Sequence, residues 1–297
     1  MPRTHWEDLP GAVRETVQDR TGTVLKAESA TEGLMPGMAG TLHLAGGDRL
    51  FFKAVNADSP AVRLYERERW AGGVLPSPVP APRLRWSAEV HGWICLVFDH
   101  IDGREADLSP GSPDVPLVLD AVARLGEQLS PSPDANAPHV AEHVSLLRAK
   151  AAHLLAKPAF DDRAIYEAAL ARFEPSSLDG DTLLHYDLHA GNLRMVHDRP
   201  WIVDWGFACR GAAWVEPVML APRLVAAGHS PAEAEDLLAA VPAWRAAPAA
   251  GVTGLAALWT LFRVYKARFG PAEAREFRAR AARAGLAWVA YRVGSGS

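Results

Sequence analysis

Near Pro113 the sequence changes its period, and that change limits the fold more than any single residue does. Upstream, short apolar runs are punctuated by turn residues, the spacing of strands joined by hairpins. Downstream, Ala- and Leu-rich stretches repeat at helical spacing. At 297 residues the chain is long for one small hydrophobic core. Two lobes are therefore expected, the first rich in strands and the second, larger one helical.

The first helix should run from Leu9-Pro10 to Gly22, because Pro suits the first helical position, with Leu9, Val13 and Val17 on one face. Strands are expected over 23–27, 41–44 and 49–55, the first two separated by the glycine-rich stretch Glu32 to Gly40 and the last two by a Gly46-Gly47-Asp48 turn. A charged helix from Ser59-Pro60 through Trp70 should end near Gly72-Gly73. Pro76, Pro78, Pro80 and Pro82 hold a connector extended, since each disfavours helix in the residue before it. A hairpin over 83–88 and 93–98, turning at His91-Gly92, completes about five antiparallel strands with one helix after the third. The expected lobes are 1–98 and 104–297, with a hinge at 99–103. Helices are expected near 114–130, 137–156, 161–174, 213–227, 230–240, 252–267 and 271–292. The interruption is 183–204, where short apolar strands flank a polar loop.

Composition narrows the class. With 49% hydrophobic and 22% charged residues the chain is globular rather than disordered. A formal net charge of -4, with no Lys/Arg run interleaved with aromatics, argues against a nucleic-acid surface. Apolar stretches such as Gly251 to Phe262 are too short to span a bilayer. Cys95 and Cys209 are the two cysteines, too few for a disulfide scaffold or a Cys-based zinc site. Together with an N-terminus lacking the layout of a secretion signal, this makes a cytoplasmic location the expectation.

The most informative segment is Leu183-Leu184-His185-Tyr186-Asp187-Leu188-His189-Ala190-Gly191-Asn192-Leu193, followed by Trp201-Ile202-Val203-Asp204-Trp205-Gly206. Phosphoryl transfer needs a carboxylate to orient the attacking hydroxyl, and hard oxygen ligands for the Mg2+ that bridges nucleotide phosphates. A kinase catalytic loop places an Asn five residues after its catalytic Asp, the separation of Asp187 and Asn192. Asp204, after the next strand, is placed to be the second metal ligand. Upstream, Lys53 on the third strand would reach the phosphates, held by a Glu of the following helix; Glu68 is the first choice and Glu66 the second. The loop from Gly33 to Gly40, with Met35, sits where a phosphate-covering loop belongs. Phe98, Asp99, His100 and Ile101 would form the hinge that hydrogen-bonds the adenine.

This arrangement resembles the aminoglycoside phosphotransferase family, which shares the protein-kinase-like fold; fructosamine and choline kinases are more distant relatives. The resemblance covers most of residues 20–220 and is sharpest at H-x-D-x-x-x-x-N followed by I-V-D-W. It implies an α+β, bilobal fold with a small antiparallel sheet lobe and a larger helical lobe. It implies Asp187 as catalytic base, Asn192 and Asp204 as Mg2+ ligands, Lys53 and Glu68 as the nucleotide-lobe pair, and His185 as organiser of the loop. ATP or GTP would be the donor, and a small-molecule hydroxyl the acceptor. An aminoglycoside or other antibiotic-like compound comes first as acceptor, with a sugar or amino alcohol as alternative. A monomer or weak homodimer is expected. Three positions depart from the family pattern: Tyr186 replaces a Gly, Met35 a hydroxyl residue, and Glu216 an Asp.

Plainer readings compete. His185, Asp187 and His189 alternate as hydrolase metal ligands might, but no third His or Cys cluster completes such a site. Gly33, Gly37 and Gly40 match neither dinucleotide nor P-loop spacing. Trp205, Trp214, Trp259 and Trp288 read as core or groove lining, and Cys95 as buried and inert. Glu216, Glu233, Glu235 and Asp236 are candidates for holding a cationic substrate, although each alone reads as part of a solvated helix face. A protein-directed kinase lacks support, since no A-P-E segment or long activation loop follows Asp204. A catalytically silent nucleotide-binding module remains the other class.

Overall fold

The computed structural model describes residues 4–30, 36–158 and 160–295. The chain forms two compact units, Met1–Glu105 with Gly191–Ala208, and Ala106–Ala190 with Cys209–Ser297.

The first unit is built on a five-stranded antiparallel sheet in the order β1-β2-β3-β5-β4, formed by β1 Val24–Ser29, β2 Met38–Leu44, β3 Arg49–Asn56, β4 Leu84–Val90 and β5 Trp93–Asp99. Period-two alternation divides its side chains between two faces. Phe52 and Ala54 join Met38, Leu42, Cys95 and Val97 on one face, which Val13 and Val17 of α1 (Gly11–Thr21) cover. Val55 joins Ile94, Leu96 and Phe98 on the other, against Ala61 and Tyr65 at the start of α2 (Val62–Val74). Lys53 has the parity of Val55, so the strand itself delivers its ammonium to the α2 face.

The α2 helix runs through Gly72 and Gly73, which the sequence suggests as its end. Gly72 serves packing instead: a Cβ there would lie 2.8 Å from Leu84 Cβ of β4. The helix can approach the sheet because that position has no side chain.

A short antiparallel sheet completes the unit, with β6 (Arg104–Glu105) pairing β8 (Leu193–Val196) and β8 pairing β9 (Arg199–Ile202). The second unit contains β7 (Thr182–Leu184), paired antiparallel with β10 (Cys209–Gly211). Its helices are α3 (Asp114–Gln128), α4 (Ala141–Leu155), α5 (Arg163–Leu170), α6 (Val215–Ala227), α7 (Pro231–Leu238), α8 (Pro242–Arg245), α9 (Ala249–Phe269) and α10 (Arg275–Ser295). The last of these starts later than its periodicity suggests, because Gly270-Pro271 and a 3-10 turn over Ala272–Ala274 take up the first residues. Leu154, Leu184, Leu255 and Trp288 are fully buried in this unit. Among the described residues no helix is long and apolar enough to cross a membrane.

Candidate active site

Within the first unit, Lys53 Nζ donates to both carboxylate oxygens of Glu68 at 2.8 Å and to Asp204 Oδ1 at 2.9 Å. Burial opposes the ammonium charge, yet Asp204 and Glu68 outweigh it and hold Lys53 above the ordinary lysine range. Burial pushes the Glu68 carboxyl up to about 7, with Lys53 pulling against it. Asp204 differs from both, since its side chain is 51% exposed and keeps solvent access beside the buried pair.

The β8–β9 hairpin explains how residues 192 and 204 come to one place. Leu193 pairs with Ile202, and the Val203 amide donates to the Asn192 carbonyl at 3.0 Å. Asn192 and Asp204 therefore flank the same hairpin end. Asp204 itself has φ 64, a left-handed conformation that Asp tolerates better than most residues. Among the described residues no group of three or more His, Cys, Asp and Glu side chains forms a metal site. An amide and one accessible carboxylate suit Mg2+, a hard cation that keeps waters and takes further ligands from nucleotide phosphates.

In the second unit, Asp187 follows β7 on a loop pinned from below by Glu216. The Glu216 carboxylate accepts the His185 amide at 2.5 Å and the Tyr186 amide at 3.0 Å. Glu216 is thus buried, which corrects its reading as a solvated or substrate-facing acid. Burial pushes its carboxyl up to about 7 against the pull of those two amides. His185 Nδ1 accepts the Asp187 amide at 3.3 Å, so this buried imidazole ties the loop to itself.

Tyr186 has φ 70, a region that favours glycine. That conformation accounts for the Gly that the resemblance expects there. The tyrosine is buried, and its ring stacks on His143 at 4.6 Å between centroids.

Asp187 Oδ1 lies 3.3 Å from Arg223 NH2 and 3.7 Å from Arg263 NH2, while Oδ2 lies 3.9 Å from His189 Nε2. Burial would raise the Asp187 pKa, but His189, Arg223 and Arg263 overcome it and hold the carboxyl below the usual aspartate value. Neither arginine stood out in the sequence. The signal was there, since Arg223 and Arg263 each interrupt an otherwise uncharged stretch, 217–227 in α6 and 249–265 in α9.

The remaining expected positions divide. Met35 and Gly33 lie outside the described residues. The Phe98 side chain is packed in the α2-face core, so its backbone alone could meet a base. Asp99 is bound through its side chain to Arg85 and through its amide to the Arg83 carbonyl at 3.0 Å. His100 Nδ1 lies 3.3 Å from Thr41 Oγ1, and the Ile101 carbonyl accepts the Gly103 amide at 3.0 Å. Glu233 caps α7 with Ser230, and Glu235 accepts from Trp288 Nε1 and Arg292; both carboxylates already have structural partners. Cys95 is fully buried, and burial pushes its thiol up to about 12.

The fold is protein-kinase-like and α+β. Among solved structures the chain is similar to a choline kinase from Streptococcus pneumoniae, with a TM-score of 0.66 and 14% identity over 93% of this chain and 97% of that one. It is similar also to the aminoglycoside phosphotransferase APH(4)-Ia, in ternary complex with AMP-PNP and hygromycin B, at 0.65 and 13% over 97% and 99%. An amicoumacin kinase in complex with AMP-PNP, Ca2+ and Ami gives 0.55 and 9% over 92% of each chain. At such identities these likenesses carry the fold alone. A sequence comparison with curated proteins finds no match. The phosphotransferase enzyme family APH matches residues 43–249, and the chain belongs to that family. It is a phosphotransferase.

Proposed function

We propose that the chain transfers the γ-phosphoryl group of ATP, or GTP, to a hydroxyl of a small molecule. The observation that carries this reading is the buried Lys53–Glu68 pair extended to Asp204, the kind of ion pair by which protein kinases hold their phosphate-binding lysine, in a phosphotransferase family member. Nucleotide binding is assigned to the lobe 1–98 with the hinge 99–103, and acceptor binding to 104–297.

Lys53 neutralises nucleotide phosphate charge, and Glu68 holds the ammonium in place. Asp187 orients the acceptor hydroxyl and receives its proton as the new oxygen–phosphorus bond forms. Its depressed pKa keeps it ionised at neutral pH, which suits an orienting role. Asn192 and Asp204 would hold Mg2+, which when bound offsets charge on the phosphates. Most of the rate comes from positioning and charge neutralisation.

An aminoglycoside or other antibiotic-like compound is the first candidate acceptor, and a sugar or amino alcohol the second. Similarity to a phosphotransferase in complex with hygromycin B supports the first, while the choline kinase likeness supports the second. The test is a mass-resolved phosphorylation screen with Mg2+ and ATP or GTP over such compounds, with Asp187→Asn as control. A product heavier by one phosphate, lost in the control, is expected. A chain that binds neither nucleotide would overturn the reading; one that binds nucleotide but transfers to nothing would be the silent module.

A further inference from the structure

The surroundings of Asp187 carry an excess of positive charge that a chain of net charge -4 does not suggest. Arg223 of α6 and Arg263 of α9 lie with their guanidinium carbons 4.8 Å from the Trp259 ring centroid, and both approach one carboxylate oxygen of Asp187. Further cations belong to the same field, because Arg263 feels Arg278, and Lys266 feels Arg278, Lys150 and Arg263. Burial and the neighbouring Arg263 lower the Arg223 pKa to about 9 despite Asp187. Among the described residues Asp187 is the one carboxylate in ion-pair contact with buried Arg223 and half-buried Arg263, and one negative charge does not balance two positive ones.

Arg223 Nε, Arg263 Nε, Trp259 Nε1 and the Tyr186 hydroxyl are buried without a hydrogen-bond partner among the described residues. Folded proteins leave few such groups, and each is costly when left unsatisfied. Arg223 and Arg263 reach Asp187, Trp259 lies against both guanidiniums, and Tyr186 precedes Asp187 in the chain, so three obligate donors and one hydroxyl are unmet in this neighbourhood. A set of donors with surplus positive charge is complementary to an oxyanion and opposed to a cation. Polycationic acceptors would meet like charge here, so among the acceptors proposed above this field ranks an acidic antibiotic-like compound or an acidic sugar ahead of an aminoglycoside or an amino alcohol.

We infer that the acceptor is an anionic hydroxyl compound, whose carboxylate or phosphate group is bound by Arg223 and Arg263 while its hydroxyl is presented to Asp187. This inference rests on the kinase reading above. In the reaction the acceptor O–H bond and the β,γ-bridging O–P bond break and the acceptor O–Pγ bond forms. The proton leaves by way of Asp187, and the products are the phosphorylated acceptor and the nucleoside diphosphate.

The test uses the full chain saturated with Mg2+ and AMP-PNP, so that the γ-phosphate position is already filled. Acetate, inorganic phosphate and, at matched ionic strength, chloride are titrated while the Arg Nε–H and Trp259 indole N–H resonances are followed by NMR. Saturable shifts with acetate mark a carboxylate site, and shifts with phosphate alone mark a phosphate site. Either supports the inference. Shifts no larger than those with chloride overturn it, and this reading of the wild-type protein does not depend on any variant folding.

Transfer supplies the second arm. For the acceptor found in the phosphorylation screen, Arg263→Gln should raise the acceptor KM by about tenfold, a larger factor than any fall in kcat from the loss of a cation beside Asp187, and Arg263→Lys should restore part of the loss. An uncharged or cationic acceptor insensitive to Arg263→Gln overturns the inference and leaves the kinase intact. Failure of AMP-PNP to bind removes the kinase reading, and the inference with it.

Discussion

Lys53 and Glu68 stand 15 residues apart in sequence and are joined by two hydrogen bonds of 2.8 Å. Two periods produce the pair. Lys53 takes the parity of Val55 on its strand, and Glu68 takes its place between Tyr65 and Ala71 on the buried stripe of α2. Glu66, two residues earlier, is exposed.

That difference predicts opposite outcomes for two glutamates. Removing one member of a buried ion pair costs about 3–5 kcal/mol, because the other charge is left uncompensated. Asp204 remains 2.9 Å from Lys53, so Glu68→Ala should fall at the lower end of that range. Glu66→Ala should change stability by less than about 0.5 kcal/mol. Urea unfolding of the two variants measures this, and only Glu68→Ala should weaken nucleotide binding.

Glu216 sets a pH dependence. Its carboxyl is raised from 4.5 to about 7 by burial, so the folded chain binds a proton that the unfolded chain has released between those values. Stability contributed by this group is therefore present below pH 4.5 and declines as pH rises toward 7, by at most about 3 kcal/mol. In Glu216→Gln the decline should vanish. The variant is less stable overall, since an amide nitrogen replaces one oxygen that accepts from His185 or Tyr186. Thermal unfolding across pH 4 to 8 separates the slope from that offset.

Strand parity, the hairpin turns and the order of charged residues were legible along the chain, because they depend on local period. Lys53 and Asp204 meet through long-range pairing, yet each is marked by its place in the order of elements, Lys53 on the third strand and Asp204 after the strand that follows Asn192. Gly72 misled because composition alone does not distinguish a helix-ending glycine from one that admits Leu84. Arg223 and Arg263 escaped for a related reason. Their meaning lies in α6 and α9 bringing both guanidiniums to one Trp259 ring, a packing relation with no local period. Glu216 was misread because its partners are backbone amides, which no sequence pattern names.

Tyr186 offers an uncommon test of a buried hydroxyl. Its oxygen has no hydrogen-bond partner among the described residues, so removing it eliminates an unsatisfied group without opening a large cavity. Tyr186→Phe should hold or raise stability, by up to about 1 kcal/mol. Tyr186→Gly should lower it by about 2–4 kcal/mol. Relief of the left-handed backbone at φ 70 recovers little against the loss of a buried ring stacked on His143. Chemical denaturation of both variants distinguishes the hydroxyl from the ring.

Asp187→Asn removes the proton acceptor and, in the same change, the carboxylate that faces Arg223 and Arg263. Transfer should fall by about 10²–10⁴-fold, while nucleotide affinity, which depends on Lys53, stays within about twofold. Stability should fall as well, because buried Arg223 and half-buried Arg263 lose their counter-charge. The sign of its pH dependence follows from the depressed Asp187 pKa. The carboxylate stabilises the fold above the ordinary aspartate value of 3.8, and that contribution disappears as pH falls through the lower folded value. Wild type and variant should therefore differ most near neutral pH and converge in acid. Parallel urea titrations at pH 7 and pH 3 check it, and a gap that stays constant between them would remove the two-arginine environment as its cause.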